Sequence, residues 1–171
     1  MSSFLEGERV RLRPLEPADS EYYHFFNDPE ICAGNSHCVY PMTEAHALQY
    51  INGIYHSDDA LVLAIVGDGI HIGNIALQNI HAIYRSSELA LIIFDKMHWG
   101  MGYGTEACNL IINHAWNALN LHRITCGTFS TNVGMMRLAE KLGFVREGVR
   151  KRAAWKNGRW VDVVEYGLLN I

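Results

Sequence analysis

The stretch SELALIIFDKMHWGMGYGTEACNLIINHAWNAL, running from Ser87 to Leu119, decides how the chain is organised. Leu89 to Phe94 is an apolar run long enough for one buried strand, and Asp95 and Lys96 make a short polar turn after it. The glycine-spaced segment Trp99-Gly100-Met101-Gly102-Tyr103-Gly104 follows, and beyond it Ala107, Leu110, Ile111, Ala115 and Ala118 recur at helical spacing. A strand, a glycine loop and a helix start together form a holder for an anion. Glycines let backbone N–H groups converge without a Cβ in the way, and the first helical turn adds unpaired N–H groups at its positive end. Spacing alone leaves a second reading open, a tight strand-to-helix turn with no ligand. Two phosphate loops are excluded: there is no Gly-Lys-Ser/Thr ending, and no acidic residue after a following strand in the dinucleotide-binding position.

Other segments join this one in a family resemblance. Trp99 to Ala107 resembles the acyl-CoA pyrophosphate loop of the GCN5-related N-acetyltransferases, which reads Gln/Arg-x-x-Gly-x-Gly/Ala. Asn132 to Phe144, NVGMMRLAEKLGF, is similar to that family's Asn-led helix ending in Glu-Lys-x-Gly-Phe. Glu147-Gly148 and Asn157 to Asp162 resemble the tail of the RimJ/RimL-type branch and of bacterial spermidine acetyltransferases. Arg9 to Leu15 and Asn27-Asp28-Pro29-Glu30 fit the same branch. The resemblance covers nearly the whole chain in order. It implies an α+β (α/β/α) fold, one domain over residues 1–171, with a mixed, mostly antiparallel twisted sheet of about six to seven strands and helices on both faces.

It also implies acetyl-CoA as co-substrate, no metal, and direct attack by a primary amine in a ternary complex. The main chain of Ile92, Ile93 and Phe94, in a strand expected to carry a bulge, would pair with the pantetheine arm. An amide near Ile92 or Ile93 would polarise the thioester carbonyl. The loop residues Trp99, Gly100, Met101, Gly102, Tyr103, Gly104 and Thr105 would grip the pyrophosphate. Asn132 serves as a helix N-cap and, by resemblance, also reaches the cofactor. Arg137 and Lys141, four apart on one helix face, would meet the 3′-phosphate or simply form a solvated face.

Acyl transfer to an amine needs a proton acceptor, because α-amines with a pKa of about 8 and lysine-type amines with about 10 arrive mostly protonated. Glu88, just ahead of the apolar strand, is the candidate base; the alternative is a surface glutamate at a strand start. His37 and His81 are weaker candidates on the substrate side, otherwise polar loop residues. Phe26, with the other aromatics near it, is expected to line an acceptor pocket. The proton donor departs from the family: Ala139 and Met135 occupy the positions of its usual Tyr and Ser. Water, the amine itself, Tyr84 or Ser130 would have to protonate the leaving thiolate. A catalytically weak acyl-CoA-binding domain therefore stays open. The expected acceptor is a protein or peptide N-terminal α-amine, as in the RimJ/RimL branch; the alternatives are an amino sugar or other small amine and a polyamine, which ranks lower because only Glu30 precedes the Ile31–Met42 loop and no acid lies within it.

The rest of the composition is consistent with this. The 171 residues are 49% hydrophobic and 19% charged, which suits a globular chain. No segment reads as a signal peptide or a membrane span, so a cytoplasmic enzyme with no membrane partner is expected, as monomer or homodimer. Net charge is −4, yet residues 1–95 hold 4 Lys/Arg against 13 Asp/Glu and residues 96–171 hold 10 against 5. A basic second half suits cofactor phosphates, and an acidic first half a cationic amine. Nucleic acid is excluded as a partner because basic and aromatic residues do not interleave. The four cysteines, Cys32, Cys38, Cys108 and Cys126, are scattered and read as free thiols. The nine histidines form no metal-ligand spacing.

Periodicity and turn residues set out the elements: a strand over Arg9–Leu15, a helix capped by Asp19 and running to about Asn27, a loop over Ile31–Met42 and a helix from Thr43 to about Tyr55. A hairpin, Leu61–Val66 with His71–Leu77, precedes the Leu89 strand and the long helix. Arg123–Thr128, a helix over Val133–Leu142 closed by Gly143, and two strands about Asn157-Gly158 complete the chain.

Overall fold

A computed structural model describes residues 3–36, 38–54 and 57–171. Eight strands form one sheet in the order β1-β2-β3-β4-β5-β6-β8-β7. They are β1 (Leu5–Glu6), β2 (Val10–Pro14), β3 (Leu61–Gly67), β4 (Ile70–His81), β5 (Ser86–Ile93), β6 (Arg123–Phe129), β7 (Val145–Lys156) and β8 (Arg159–Leu169). The helices are α1 (Pro29–Ala33), α2 (Glu44–Ile54), α3 (Tyr103–Asn117) and α4 (Val133–Lys141), with 3-10 turns at Pro17–Asn27 and Lys96–His98. All pairings are antiparallel except β5 with β6, and α3 is the crossover that such a parallel pair requires.

The alternation of side chains along the strands gives the sheet two apolar faces. Val10, Leu12, Leu63, Ile65, Ile75, Leu77 and Leu89 pack beneath α3 and α4 with Ala107, Cys108, Ile111 and Ala139. The opposite face is built from small residues, Ala64, Ala76 and Ala90, which let Tyr23, Ala47 and Ile51 of the 3-10 segment and α2 lie close. Two turns expected from sequence are present. Asn157 and Gly158 both have positive φ, 49° and 77°, as a two-residue hairpin turn of this kind needs. Gly143, at φ 87°, ends α4 with Gly143 N–H donating to Glu140 O and Phe144 N–H to Ala139 O.

The structure corrects four expectations. The sheet has eight strands because the short β1 adds to its edge, where Leu5 pairs with Leu12. The Ile31–Met42 stretch is preceded and partly replaced by α1, with Pro29 in its first turn and the Asp28 carboxylate accepting from Glu30 N–H at 2.8 Å. Asp19 is not the N-cap of its helical segment; Glu16 is, and Asp19 sits three residues in. Cys32 and Cys38 are not free thiols but a disulfide with Cα atoms 5.3 Å apart, because α1 folds the chain back within six residues. Cys108 and Cys126 are free and buried, and burial pushes both thiols up to about 12.

Asp19 anchors the 3-10 segment to the sheet. Only 3% exposed, it takes a two-pronged bond from Arg13 at 2.7 and 2.8 Å and lies 3.0 Å from His71 Nδ1. His71 Nε2 meets Asn74 Oδ1 at 2.8 Å, and Asn74 Nδ2 donates to the Tyr23 hydroxyl at 3.3 Å. Burial pushes the Asp19 carboxyl up, but bonds from Arg13, His71 and the Glu16 amide outweigh it and hold the group well below the usual carboxylate range. The folded group is thus the stronger acid. Its stabilisation is complete above the unfolded pKa of about 4 and is lost as pH falls through the lower folded value. Asp19→Ala should cost about 3–5 kcal/mol by leaving Arg13 unpaired. Urea melts would show it, and a loss below about 1 kcal/mol would reduce the pair to a surface ion pair.

Candidate active site

The site begins where two strands part. β5 and β6 are paired only at Ser86–Arg123, Ser87–Ile124 and Glu88–Thr125; beyond that point they share no ladder partners. Leu89–Ile93 and Cys126–Phe129 become the two walls of a gap. On the β5 wall, Phe94 N–H donates to Ile72 O at 3.0 Å, and a Cβ at Gly73 would overlap the Ile92 carbonyl oxygen. Ile92 therefore turns its main chain toward β4, and antiparallel alternation turns those of Leu91 and Ile93 toward the gap. This differs from the sequence expectation for Ile92. The expected bulge is also displaced: the register runs unbroken from Gly73–Ile93 to Gln78–Glu88, and the two-to-one pattern appears at the strand's end, where Phe94 and Asp95 N–H both reach Ile72 O. Trp99 Nε1 donates to Ile93 O at 2.7 Å, so the indole closes the end of this wall.

The glycine loop lies at the open end of the gap. Gly100 and Gly102 adopt φ of 71° and 92°, which side-chain-bearing residues rarely do. Gly102 is the N-cap of α3 and offers no side-chain cap, so the first-turn amides of α3 have no intrahelical acceptor and, among the described residues, no side-chain substitute. Gly104 brings that turn close against β5: a Cβ there would come within 3.3 Å of Leu91 and 3.8 Å of Leu138. Asn132 Oδ1 caps α4 by accepting from Met135 N–H at 3.1 Å. Thr105 and Lys141 share a groove of about 400 Å³ with Arg9 and Gly102, and Arg137 is exposed on the same helix as Lys141.

Glu88 stands at the fork itself. Its neighbours of the same alternation, Ala90 and Phe94, belong to the face covered by the 3-10 segment and α2, and Asn79 Nδ2 donates to its carboxylate at 3.3 Å. Phe26 is on that face too, half-buried and stacked on Tyr23 at 5.2 Å. Ser130 is exposed just past the end of β6, two residues before the Asn132 cap. His81 and Tyr84 are placed differently from expectation. They stack on each other at 4.1 Å in the turn before β5, with Tyr84 73% exposed. They lie at the closed end of the fork, and the strand from Ser86 to Leu91 alone spans about 16 Å. His37 lies outside the described residues.

One part of the site gave no sequence signal. α1 is fastened on both sides of the gap. Lys96, after β5, pairs with Asp28 at 2.8 Å and Glu30 at 2.6 Å. Lys156, at the end of β7, donates to Cys32 O at 2.9 Å and Asn35 O at 2.8 Å. A Cβ at Gly34 would come within 2.7 Å of Asn132 Nδ2, so the end of α1 rests on the start of α4. Each of these ties joins residues far apart in sequence. Among the described residues no group of His, Cys, Asp and Glu is arranged to hold a metal. No helix there is long and apolar enough to cross a membrane.

Parted strands beside an uncapped, glycine-led helix define the class of transferases that take their acyl group from coenzyme A. Residues 9–145 match the acetyltransferase (GNAT) domain, and the chain belongs to that family, as an acetyl-CoA-dependent N-acetyltransferase. It is similar to the probable N-acetyltransferase YjcK of Bacillus subtilis (strain 168), 28% identical with 97% of each chain covered. It is 29% identical to the putative ribosomal N-acetyltransferase YdaF of the same organism, over 95% of this chain and 92% of that one. The crystal structure of spermidine N-acetyltransferase from Vibrio cholerae in complex with CoA and spermine superposes with a TM-score of 0.86 at 26% identity, covering 95% of this chain and 96% of that one.

Proposed function

We propose that the whole chain acts as one unit that acetylates the N-terminal α-amine of a protein or peptide, with Glu88 as the base. The observation that carries the acceptor class is the state of the carboxylates around the gap. Asp162 is offset by Lys151 and Glu165 by Arg150, while Lys96 is shared by Asp28 and Glu30 and offsets one of their two charges. Glu88, bonded among the described residues to the neutral Asn79 amide and to no cation, is left to face a cationic acceptor. A single amine matches one such carboxylate, whereas a polyamine needs several.

The residues present fit acetyl-CoA. The uncapped first turn of α3 and the cradle at Gly102, which a side chain would fill, suit a diphosphate. Asn132, Arg137 and Lys141 flank its path. Acetyl-CoA supplies the acetyl group as an activated thioester. The chain's part is to hold and polarise it: the Ile93 N–H, on the gap side of β5, stands where a carbonyl oxygen would need a donor. Glu88 takes the ammonium proton, directly or through water, so that the amine arrives neutral. Ser130, on the opposite wall, is the hydroxyl better placed than Tyr84 to protonate a leaving sulfur.

Coenzyme A release with an amine panel tests this reading. Peptides with a free α-amine should turn over, and the same peptides blocked at the N-terminus should not. Spermidine turned over ten times faster than any peptide would move the acceptor to the polyamine class, the reading favoured by the spermine-bound Vibrio relative. The α1 strap is expected to serve the acceptor side. Lys156→Ala, which frees the Cys32 and Asn35 carbonyls, should raise the acceptor KM about tenfold and leave the KM for acetyl-CoA within twofold. Equal effects on both would give the strap no acceptor-specific role.

A further inference from the structure

The geometry points to Arg9 as a positioning residue that sets the direction of one peptide in the diphosphate cradle, an inference that rests on the cofactor site proposed above. Both terminal nitrogens of its guanidinium donate to Met101 O, each at 3.2 Å, across 92 residues of sequence. The carbonyl of a trans peptide and the N–H of the next residue point in opposite directions. With Met101 O drawn outward to Arg9, the Gly102 N–H is aimed the other way, into the loop.

This restraint matters because of the residues beside it. A flip of the Met101–Gly102 peptide turns about ψ of Met101 and φ of Gly102, and Gly102, now at φ 92°, has no side chain to penalise either sign of φ. A flipped Met101–Gly102 peptide would present a carbonyl oxygen where an anion has to sit. Arg9 removes that alternative, and it is itself held. Its own N–H donates to Glu106 Oε1 at 2.8 Å, the Val10 N–H donates to the same oxygen at 3.0 Å, and its Nε lies 3.5 Å from Glu106 Oε2. The guanidinium carbon stands 4.8 Å over the Tyr103 ring, whose hydroxyl donates to Asp68 at 2.7 Å. Glu106 is a first-turn acid of α3, which alone would repel an anion at that helix end. Its carboxylate is occupied by the Arg9 and Val10 amides and offset by the Arg9 guanidinium. The clamp thus orients a donor and cancels a charge at the same place.

Calorimetric binding of three ligands to wild type, Arg9→Ala and Arg9→Lys tests this without turnover. The ligands are coenzyme A, dephospho-coenzyme A and pantetheine. Arg9→Ala should weaken coenzyme A and dephospho-coenzyme A by the same factor, about tenfold, and leave pantetheine unaffected because it has no diphosphate. Arg9→Lys, which keeps one donor to Met101 O, should recover part of the loss. The 15N–1H resonance of Gly102 should move in ligand-free Arg9→Ala, and acetyl-CoA KM should rise with kcat within twofold at saturation. A penalty seen with coenzyme A but not with dephospho-coenzyme A would overturn the clamp in favour of direct pairing with the 3′-phosphate. Wild-type affinity in Arg9→Ala would overturn it outright. Failure of the wild type to bind coenzyme A would instead sink the cofactor site itself. Arg9 is half exposed, its side chain 49% accessible, so the variants uncover the outer face of the Tyr103 ring without opening a cavity in the core.

Discussion

Gly102→Val is expected to abolish measurable acetyl-CoA binding, a loss of at least about a hundredfold, in a protein that still folds. Two effects add. Gly102 adopts φ 92°, where a β-branched residue is strained by at least about 1–2 kcal/mol, and relief of that strain moves the loop amides. A Cβ there would also come within 3.0 Å of Arg9 Nη2, so the new side chain pushes at the guanidinium that holds Met101 O. Charge-assisted bonds to a phosphate are worth about 1.5–3 kcal/mol each, and losing even one with the strain included reaches the stated factor. Calorimetry on the folded variant reads it directly. Retained wild-type affinity would place the nucleotide elsewhere. Gly69 supplies the control: its φ of 82° imposes similar strain, but no atom lies within 4 Å of a Cβ there. Gly69→Val should therefore lose stability while keeping affinity.

Glu88→Gln is expected to lower kcat about 10²-fold at pH 7, the usual contribution of a positioned base. Glutamine keeps the size and the acceptor oxygen that faces Asn79 but cannot take up a proton. The deficit should shrink as pH rises through the acceptor's own pKa, about 8 for an α-amine, because the nucleophile then arrives neutral without help. Acetyl-CoA affinity should stay within twofold, since the side chain lies on the face of the sheet opposite α3. A variant whose pH–rate curve overlays the wild type would remove Glu88 as the base. The closed-end pair gives a contrast: Tyr84→Phe should change kcat less than twofold.

Several features of the site were legible in the sequence for one reason: each depends on residues adjacent along the chain. The glycine loop, the Asn132 cap, the Gly143 stop and the Asn157-Gly158 turn are local backbone preferences, and they occupy their expected positions. Tyr84 shows how adjacency misleads. It is four residues from Glu88, yet β5 begins only at Ser86, and Tyr84 lies in the turn before it, stacked on His81 and away from the parted strands' open end. Ile92 and Ile93 illustrate the same limit more finely. Which of two consecutive amides faces the gap is set by pairing with β4, and the partner residues, Ile72 to Asn74, lie about twenty positions away.

The amino-acid sequence by itself determined the family, the order of the elements other than β1 and α1, and the glycine-led turn before α3, because short-range sterics and apolar periodicity suffice for these. Only the tertiary structure decided how far β5 and β6 stay paired, that Cys32 meets Cys38, and that α1 is tied on both sides of the gap by Lys96 and Lys156. It also brought Arg9 onto Met101, 92 positions along the chain. Such contacts follow from how the sheet closes, and a lysine or arginine on a surface carries no local mark of the carbonyl it will reach.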